Sequence, residues 1–157
     1  MRLYFMRHAL AEDSTDKITD AQRKLTDRGV ASTQQAARVI KALGLKPKRF
    51  YTSPLVRAHQ TASIVGKALG IEPEVRSELS LGFSINAVAA LTHDMKVNDE
   101  VFFVGHEPDF STTIGSLCGA RIVMKRGGLA RIDVISQQPM LGELIWLIAP
   151  KIFEAMD

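Results

Sequence analysis

The chain of 157 residues suits a single domain with one sizeable core, and we expect that domain to span residues 1–157. With 46% hydrophobic and 24% charged residues it resembles an ordinary globular protein; no apolar stretch is long enough to span a membrane, and the N-terminus lacks signal-peptide features. The net charge of +3 favours anionic ligands without indicating nucleic acid, and the single cysteine, Cys118, excludes an intrachain disulfide and fits a reducing cytoplasm.

Strands and helices alternate along the chain, as its apolar patterns and capping residues predict. The apolar run that begins at Leu3 predicts a buried strand that ends in Arg7-His8, and the polar residues 10–24 predict an exposed loop, with or without a short turn of helix. The other predicted elements are a helix from Thr26 or Asp27 to Gly44, a strand over 49–53, a helix over 54–69 with Ser53 as its N-cap, a strand over 74–76, a loop over 77–83, a helix over 86–93, a strand over 100–106, a helix from Pro108 to Gly119, and a hairpin of strands 129–135 and 143–149.

This order of elements predicts the α/β class. Strands that alternate with helices form a mostly parallel sheet with helices on both faces, which gives a three-layer α/β/α sandwich. The last two strands are separated by a short polar turn, so we expect them to form an antiparallel C-terminal edge of that sheet.

Three predicted strands lead into side chains that suit an anion. Arg7 and His8 follow the first strand, Arg57 lies shortly after the second, and His106 ends the strand over 100–106. The carboxyl ends of parallel strands lie along one edge of a sheet, where α/β proteins bind their ligands. Because arginine offers planar, paired donors to phosphate oxygens, these four side chains predict a phosphoryl pocket.

Two predicted helices begin at the same edge, near Pro54 and Pro108. Their free N–H groups and partial positive charge also suit a phosphate. No cluster of carboxylates that would hold a metal is evident beside these residues. We therefore expect a site without a metal.

The same residues resemble the motifs of a known family. Arg7-His8 after a strand, then Ser53-Pro54-x-x-Arg57-Ala58-x-Gln60-Thr61-Ala62, then Gly105-His106, resembles the histidine phosphatase superfamily, also called the phosphoglycerate mutase-like superfamily. The resemblance extends over nearly the whole chain. Within the superfamily, the small size resembles the SixA-type phosphohistidine phosphatases, as do the segments Leu25-Thr26-x-x-Gly29, Val104-Gly105-His106-Glu107-Pro108 and Trp146-Leu147-x-x-Pro150.

The resemblance implies a phosphoryl transfer in two steps. His8 is then the nucleophile, which forms a phosphohistidine intermediate through a ring nitrogen while its other ring N–H is held by a backbone carbonyl. Arg7, Arg57 and His106 are the residues that bind the phosphoryl oxygens. Water then releases inorganic phosphate, and no metal or organic cofactor is needed.

The resemblance leaves the general acid open. Superfamily members that act on phosphate esters carry a carboxylic acid for the leaving oxygen, and Glu78 lies in the loop where that acid usually falls. Glu107 and Asp109 are alternatives because they are close to His106 in the sequence. A phosphoramidate leaves readily once its nitrogen is protonated, so a phosphohistidine substrate depends less on an enzyme acid.

We therefore expect a phosphohistidine phosphatase of bacterial signalling. Its partner is a histidine-phosphorylated protein, either a phosphotransfer domain or a histidine kinase, because the short chain leaves little room for a lid over a small substrate. One alternative is a phosphatase of small phosphate esters or sugar phosphates, and another is a binding module without turnover. The basic pair Lys125-Arg126 is either a solvated turn or a contact for an acidic partner.

Overall fold

The computed structural model describes residues 1–157, which form six strands and five helices. The strands are β1 (Arg2–Arg7), β2 (Arg49–Thr52), β3 (Glu74–Val75), β4 (Glu100–Gly105), β5 (Leu129–Gln137) and β6 (Met140–Ile148). The helices are α1 (Asp27–Ala42), α2 (Val56–Leu69), α3 (Ile85–Thr92), α4 (Asp109–Cys118) and α5 (Pro150–Met156). Two short 3₁₀ helices, Asp20–Gln22 and Ser77–Leu79, lie in the loops. No helix is both long and apolar enough to cross a bilayer.

All six strands belong to one sheet, in the order β3-β2-β4-β1-β5-β6. β3, β2, β4 and β1 are parallel, whereas β5 pairs antiparallel with β1 and β6 antiparallel with β5. The predicted α/β class, with its mostly parallel sheet and antiparallel C-terminal edge, is therefore confirmed. The ends of β1, β2 and β4 lie side by side because β4 pairs with both of the other strands.

The sheet is covered on both faces because successive side chains of a strand point to opposite sides. In β1, Leu3 and Phe5 belong to one core, which includes residues of α3 and α4. Tyr4 and Met6 belong to the other core, which includes residues of α1, α2 and α5. Both faces of β1 are thus buried, which explains its nearly continuous apolar sequence.

The polar loop over 10–24 folds back against the body of the protein. The main chain of Glu12 donates a hydrogen bond to the carbonyl of Lys24, at 2.8 Å. Gly29 in α1 lies so close to Leu10 that an added Cβ would be 2.1 Å from the Leu10 carbonyl oxygen. A residue without a side chain is needed at this approach, which holds the loop beside the carboxyl end of β1.

The predicted start of the second helix was wrong, and one helix was not predicted. Helix α2 begins at Val56 rather than Pro54, and its N-cap is Leu55 rather than Ser53. The main chain of Ser53 still donates to Val104 in β4, at 3.1 Å, so the pairing of β2 with β4 extends past Thr52 and delays the helix. The final helix, α5, was not predicted; Pro150 occupies its first turn, where proline is well tolerated.

Candidate active site

His8 lies directly after β1 and is 5% exposed. Its main-chain N–H donates to the carbonyl of Gly105 in the neighbouring strand, at 3.1 Å, which fixes its backbone. The ring atom Nδ1 is 2.8 Å from the carbonyl oxygen of Ala9. Because a carbonyl only accepts, Nδ1 carries the proton and Nε2 keeps its lone pair.

The surroundings of His8 keep its ring neutral. Burial, with smaller effects from His106, Arg57 and Arg7, lowers the pKa of His8 from 6.5 to about 3, although the hydrogen bond to Ala9 acts in the opposite direction. Arg57 donates from Nε to His8 Nε2 at 3.2 Å. His8 is therefore neutral at pH 7 with an unprotonated Nε2, which is the state of a nucleophilic histidine.

Arg57 is buried in the first turn of α2, and its guanidinium faces the loop that carries Asp20. It donates from one terminal nitrogen to the Asp20 carbonyl, at 2.8 Å, and from the other to the Asp20 carboxylate, at 3.3 Å. Hydrogen bonds from Arg23 and then from Arg57 lower the pKa of Asp20, which is therefore an anion at neutral pH. Asp20 thus offers Arg57 oxygen acceptors of the kind that a phosphoryl group would offer.

Arg7 is held by the turn before β5. One of its terminal nitrogens donates to the Met124 carbonyl at 3.0 Å, while its buried Nε has no partner within the protein. Gly127 has φ of +80°, which suits glycine, and its N–H donates to the carbonyls of Arg7 and His8 at 3.1 and 3.0 Å. The turn therefore braces both residues at the end of β1.

His106 lies at the end of β4, opposite His8, and is 2% exposed. The two imidazole centroids are 5.3 Å apart. Its Nε2 is 2.8 Å from Ser53 Oγ, and its buried Nδ1 has no partner within the protein. Burial, with smaller effects from charged neighbours, lowers the pKa of His106 to about 4, so this ring is also neutral at pH 7.

The structure therefore brings together Arg7, His8, Arg57 and His106, all four of the residues predicted from the strand ends. A neutral imidazole, whose unprotonated Nε2 accepts from Arg57, lies beside two guanidinium groups and a second imidazole. Buried polar atoms are nearly always paired, and Arg7 Nε and His106 Nδ1 are two that the protein leaves unpaired. This arrangement suits a tetrahedral anion. No three side chains of metal-ligating types come together anywhere in the chain.

The three acid candidates all contact other parts of the protein. The Glu78 carboxylate forms an ion pair with Arg76 at 2.8 Å, and hydrogen bonds from Arg76 lower the pKa of Glu78. Glu107 accepts from the main chain of Ser111 at 2.8 Å. Asp109 accepts from the main chain of Gly82, also at 2.8 Å, which ties the loop after the Ser77–Leu79 turn to the start of α4.

Two residues at the site were not predicted to be there. Asp20 contacts Arg57 across 37 positions of sequence, from a loop that was expected to be exposed. Its only local signal is the pair Thr19 and Gln22, which caps the 3₁₀ helix that presents it. Ser53 was expected to cap α2, but the N-cap is Leu55, and the Ser53 hydroxyl accepts from the Leu55 N–H and also contacts His106. No sequence pattern reveals that contact, because it joins two different strand ends.

Comparison with known proteins agrees with this geometry. The model of the histidine phosphatase superfamily (branch 1) matches residues 3–80, which include Arg7, His8 and Arg57. An uncharacterised protein of Picosynechococcus is 33% identical over 165 residues, which cover 96% of this chain and 98% of that protein. The chain belongs to the histidine phosphatase superfamily. The phosphohistidine phosphatase SixA of Escherichia coli is 29% identical over 124 residues, which cover 75% of this chain and 74% of SixA.

Solved structures show the same fold. The histidine phosphatase SixA in complex with tungstate superimposes with a TM-score of 0.85 at 24% identity, over 97% of this chain and 99% of the other. A mycobacterial glucosyl-3-phosphoglycerate phosphatase superimposes with a TM-score of 0.75 at 15% identity, over 92% and 96% of the two chains. The SixA-like fold is therefore shared with phosphatases of different substrates.

Proposed function

We propose that this protein hydrolyses phosphohistidine on signalling proteins through a covalent intermediate on His8. The observation that carries the proposal is the neutral His8, with Nε2 free of a proton and Arg7, Arg57 and His106 around it. The similarity to E. coli SixA, a phosphohistidine phosphatase, supports the same substrate class.

The first step transfers the phosphoryl group to the enzyme. Phosphoryl oxygens displace Asp20 from Arg57, and the Arg57 Nε–H turns from His8 Nε2 to the incoming anion. His8 Nε2 then attacks phosphorus as the phosphorus–nitrogen bond of the substrate breaks, and the substrate imidazole, which carries a proton on its other nitrogen before the transfer, leaves as a neutral ring. Arg7, Arg57 and His106 bind the oxygens on which negative charge is spread, which lowers the barrier through positioning and electrostatics.

The second step restores the enzyme. Water attacks the phosphorus on His8, the bond from phosphorus to Nε2 breaks, and inorganic phosphate leaves. His8 then regains its free Nε2, because the Ala9 carbonyl still holds the proton on Nδ1. Holding one tautomer through both steps keeps the same nitrogen as nucleophile and leaving group.

The state of the carboxylates favours a phosphoramidate over an ester. Glu78 is ionised and paired with Arg76, so it can donate a proton only after it takes one up against that pairing. An ester needs an acid for its leaving oxygen. A phosphohistidine needs one less, because the protonated imidazole nitrogen is already a good leaving group.

The rim of the site suits a protein substrate. Lys125 and Arg126 are exposed in the turn that braces the end of β1, and neither forms a salt bridge. Unpaired cations at the mouth of a site attract and orient an acidic partner. The partner that we infer is a histidine-phosphorylated phosphotransfer domain or histidine kinase with an acidic surface. We infer that the two proteins meet in the cytoplasm, because a chain with a single cysteine fits a reducing compartment.

A phosphatase of small phosphate esters is the second candidate. It is favoured by the fold shared with the glucosyl-3-phosphoglycerate phosphatase and by the presence of a carboxylate, Glu78, in the short 3₁₀ helix Ser77–Leu79. It would require Glu78 to leave Arg76 and reach the leaving oxygen.

The test compares two substrates. Phosphate release is measured from a histidine-phosphorylated phosphotransfer domain and from p-nitrophenyl phosphate, with wild-type protein, His8→Ala and the control His59→Ala, which removes an exposed histidine of α2. We expect fast release from the phosphoprotein, slow release from the ester, loss of both in His8→Ala and no change in His59→Ala. Fast ester hydrolysis with the phosphoprotein untouched would instead support the second candidate.

A further inference from the structure

Ser53 is fully buried between the end of β2 and the start of α2, and its hydroxyl makes two contacts. The main-chain N–H of Leu55 donates to Ser53 Oγ at 3.1 Å. The ring atom Nε2 of His106 lies 2.8 Å from the same oxygen. The first contact is an ordinary turn, whereas the second joins a serine to a ring in the candidate active site.

The proton of the Ser53 hydroxyl determines which way the second bond runs. A hydroxyl has one proton to donate and two lone pairs to accept with, and Leu55 N–H occupies one lone pair. His106 Nε2 is the acceptor that lies within reach of that proton, and the ring is neutral because it is buried. The hydroxyl therefore donates to Nε2, and the proton of the His106 ring sits on Nδ1.

The tautomer matters because Nδ1 is the ring nitrogen left for a ligand. This atom is buried and has no partner within the protein, and the same is true of Arg7 Nε in the same site. An Nδ1–H donates to a phosphoryl oxygen, whereas a bare Nδ1 would direct a lone pair at an anion. Buried donors are nearly always satisfied, so a bound oxyanion supplies the partner that the protein does not.

We propose that Ser53 is a positioning residue that fixes His106 in its Nδ1–H tautomer and so provides a hydrogen-bond donor for the phosphoryl group. The proposal rests on the proposed function in one respect, namely that the ligand of His106 is a phosphoryl oxygen. Ser53 acts on His106 as the Ala9 carbonyl acts on His8: each contact leaves one ring nitrogen in the protonation state that its role requires.

The experiment reads the tautomer directly. Ring nitrogens of His106 are assigned by two-dimensional ¹⁵N–¹H NMR on labelled protein at pH 7.5, for wild type, Ser53→Ala and the control Thr113→Val. Thr113 also carries a buried hydroxyl, but its Oγ1 has no hydrogen-bond partner, unlike that of Ser53. Its replacement therefore shows what the loss of a buried hydroxyl does by itself. We expect Nδ1–H in wild type and in Thr113→Val, and a shift towards Nε2–H in Ser53→Ala.

Binding of inorganic phosphate gives the second readout. We expect Ser53→Ala to weaken it by about tenfold to a hundredfold, since a hydrogen bond to a charged group is lost, while Thr113→Val binds as wild type does. An Nε2–H or doubly protonated His106 in wild type, or an unchanged tautomer in Ser53→Ala, would overturn the proposal. The wild-type spectrum needs no variant to fold, and it is readable even if the protein does not act on phosphohistidine.

Discussion

Acid is expected to destabilise the fold through the two buried histidines of the site. An unfolded histidine titrates near pH 6.5, whereas the folded pKa is about 3 for His8 and about 4 for His106. Above pH 6.5 neither state binds the proton. Below it the unfolded state takes up the proton first, so stability present above pH 6.5 is lost as the pH falls towards the folded pKa values.

The size of the effect at a given pH follows from how far that pH lies below the unfolded pKa, as long as it stays above the folded pKa. At pH 5, which is about 1.5 pH units below the unfolded pKa, each histidine lowers the free energy of unfolding by about 2 kcal/mol and the pair by about 4 kcal/mol. Little solvent screening applies, since His8 and His106 are 5% and 2% exposed. The free energy of unfolding of a native protein is typically about 5–15 kcal/mol, so the loss is a large fraction of it.

Urea unfolding at pH 7.5 and pH 5.0, in buffers free of phosphate, measures this loss for wild type, His8→Asn and His59→Asn. Carboxylates also titrate in this range, but they contribute equally to all three proteins and cancel in the comparison. We expect His8→Asn to lose about 2 kcal/mol less than wild type between the two pH values. His59→Asn removes an exposed histidine and should follow wild type. If His8→Asn loses as much stability as wild type, then His8 is not held neutral by burial.

Three further predictions concern the charges around the site. Asp20→Asn removes the anion that contacts Arg57, so inorganic phosphate should inhibit about two- to fivefold more strongly in steady-state assays; equal or weaker inhibition would contradict the competition. Glu78→Gln should leave phosphohistidine turnover unchanged and slow any ester hydrolysis about a hundredfold, and an equal loss on both substrates would refute this division of roles. Replacing Lys125 and Arg126 by Glu should lower kcat/KM for an acidic phosphoprotein about tenfold at low salt, but should not change it for free phosphoramidate. Lys151→Glu is the control, and a variant with the kcat/KM of wild type on the phosphoprotein would exclude a docking role.

The sequence was most informative about the strand ends. A buried apolar run that stops at Arg7-His8 has few structural explanations, because arginine is rarely buried without a partner. The parallel arrangement then follows from the alternation of strands and helices, and it brings β1 and β4 together. Fold class and the convergence of the four site residues were therefore predictable from local patterns and one topological rule.

The contacts that tune those residues were not predictable in the same way. Ser53 and Pro54 look like the start of a helix, but continued pairing with β4 moves the helix start to Val56 and leaves the hydroxyl with His106. Asp20 reaches Arg57 only because the loop folds back across the site. Such contacts depend on tertiary packing between segments that are distant in sequence, so no periodicity or capping pattern encodes them.

The central claim is that His8 Nε2 accepts the phosphoryl group. The most direct test is rapid acid-free quenching after mixing with a histidine-phosphorylated phosphotransfer domain labelled with ³²P, followed by mass spectrometry of the protein. We predict a transient, acid-labile phosphoryl group on His8 in wild type and in His59→Ala, and none in His8→Ala. Phosphate release by His8→Ala at a wild-type rate, or a phosphoryl group on another residue, would contradict the account.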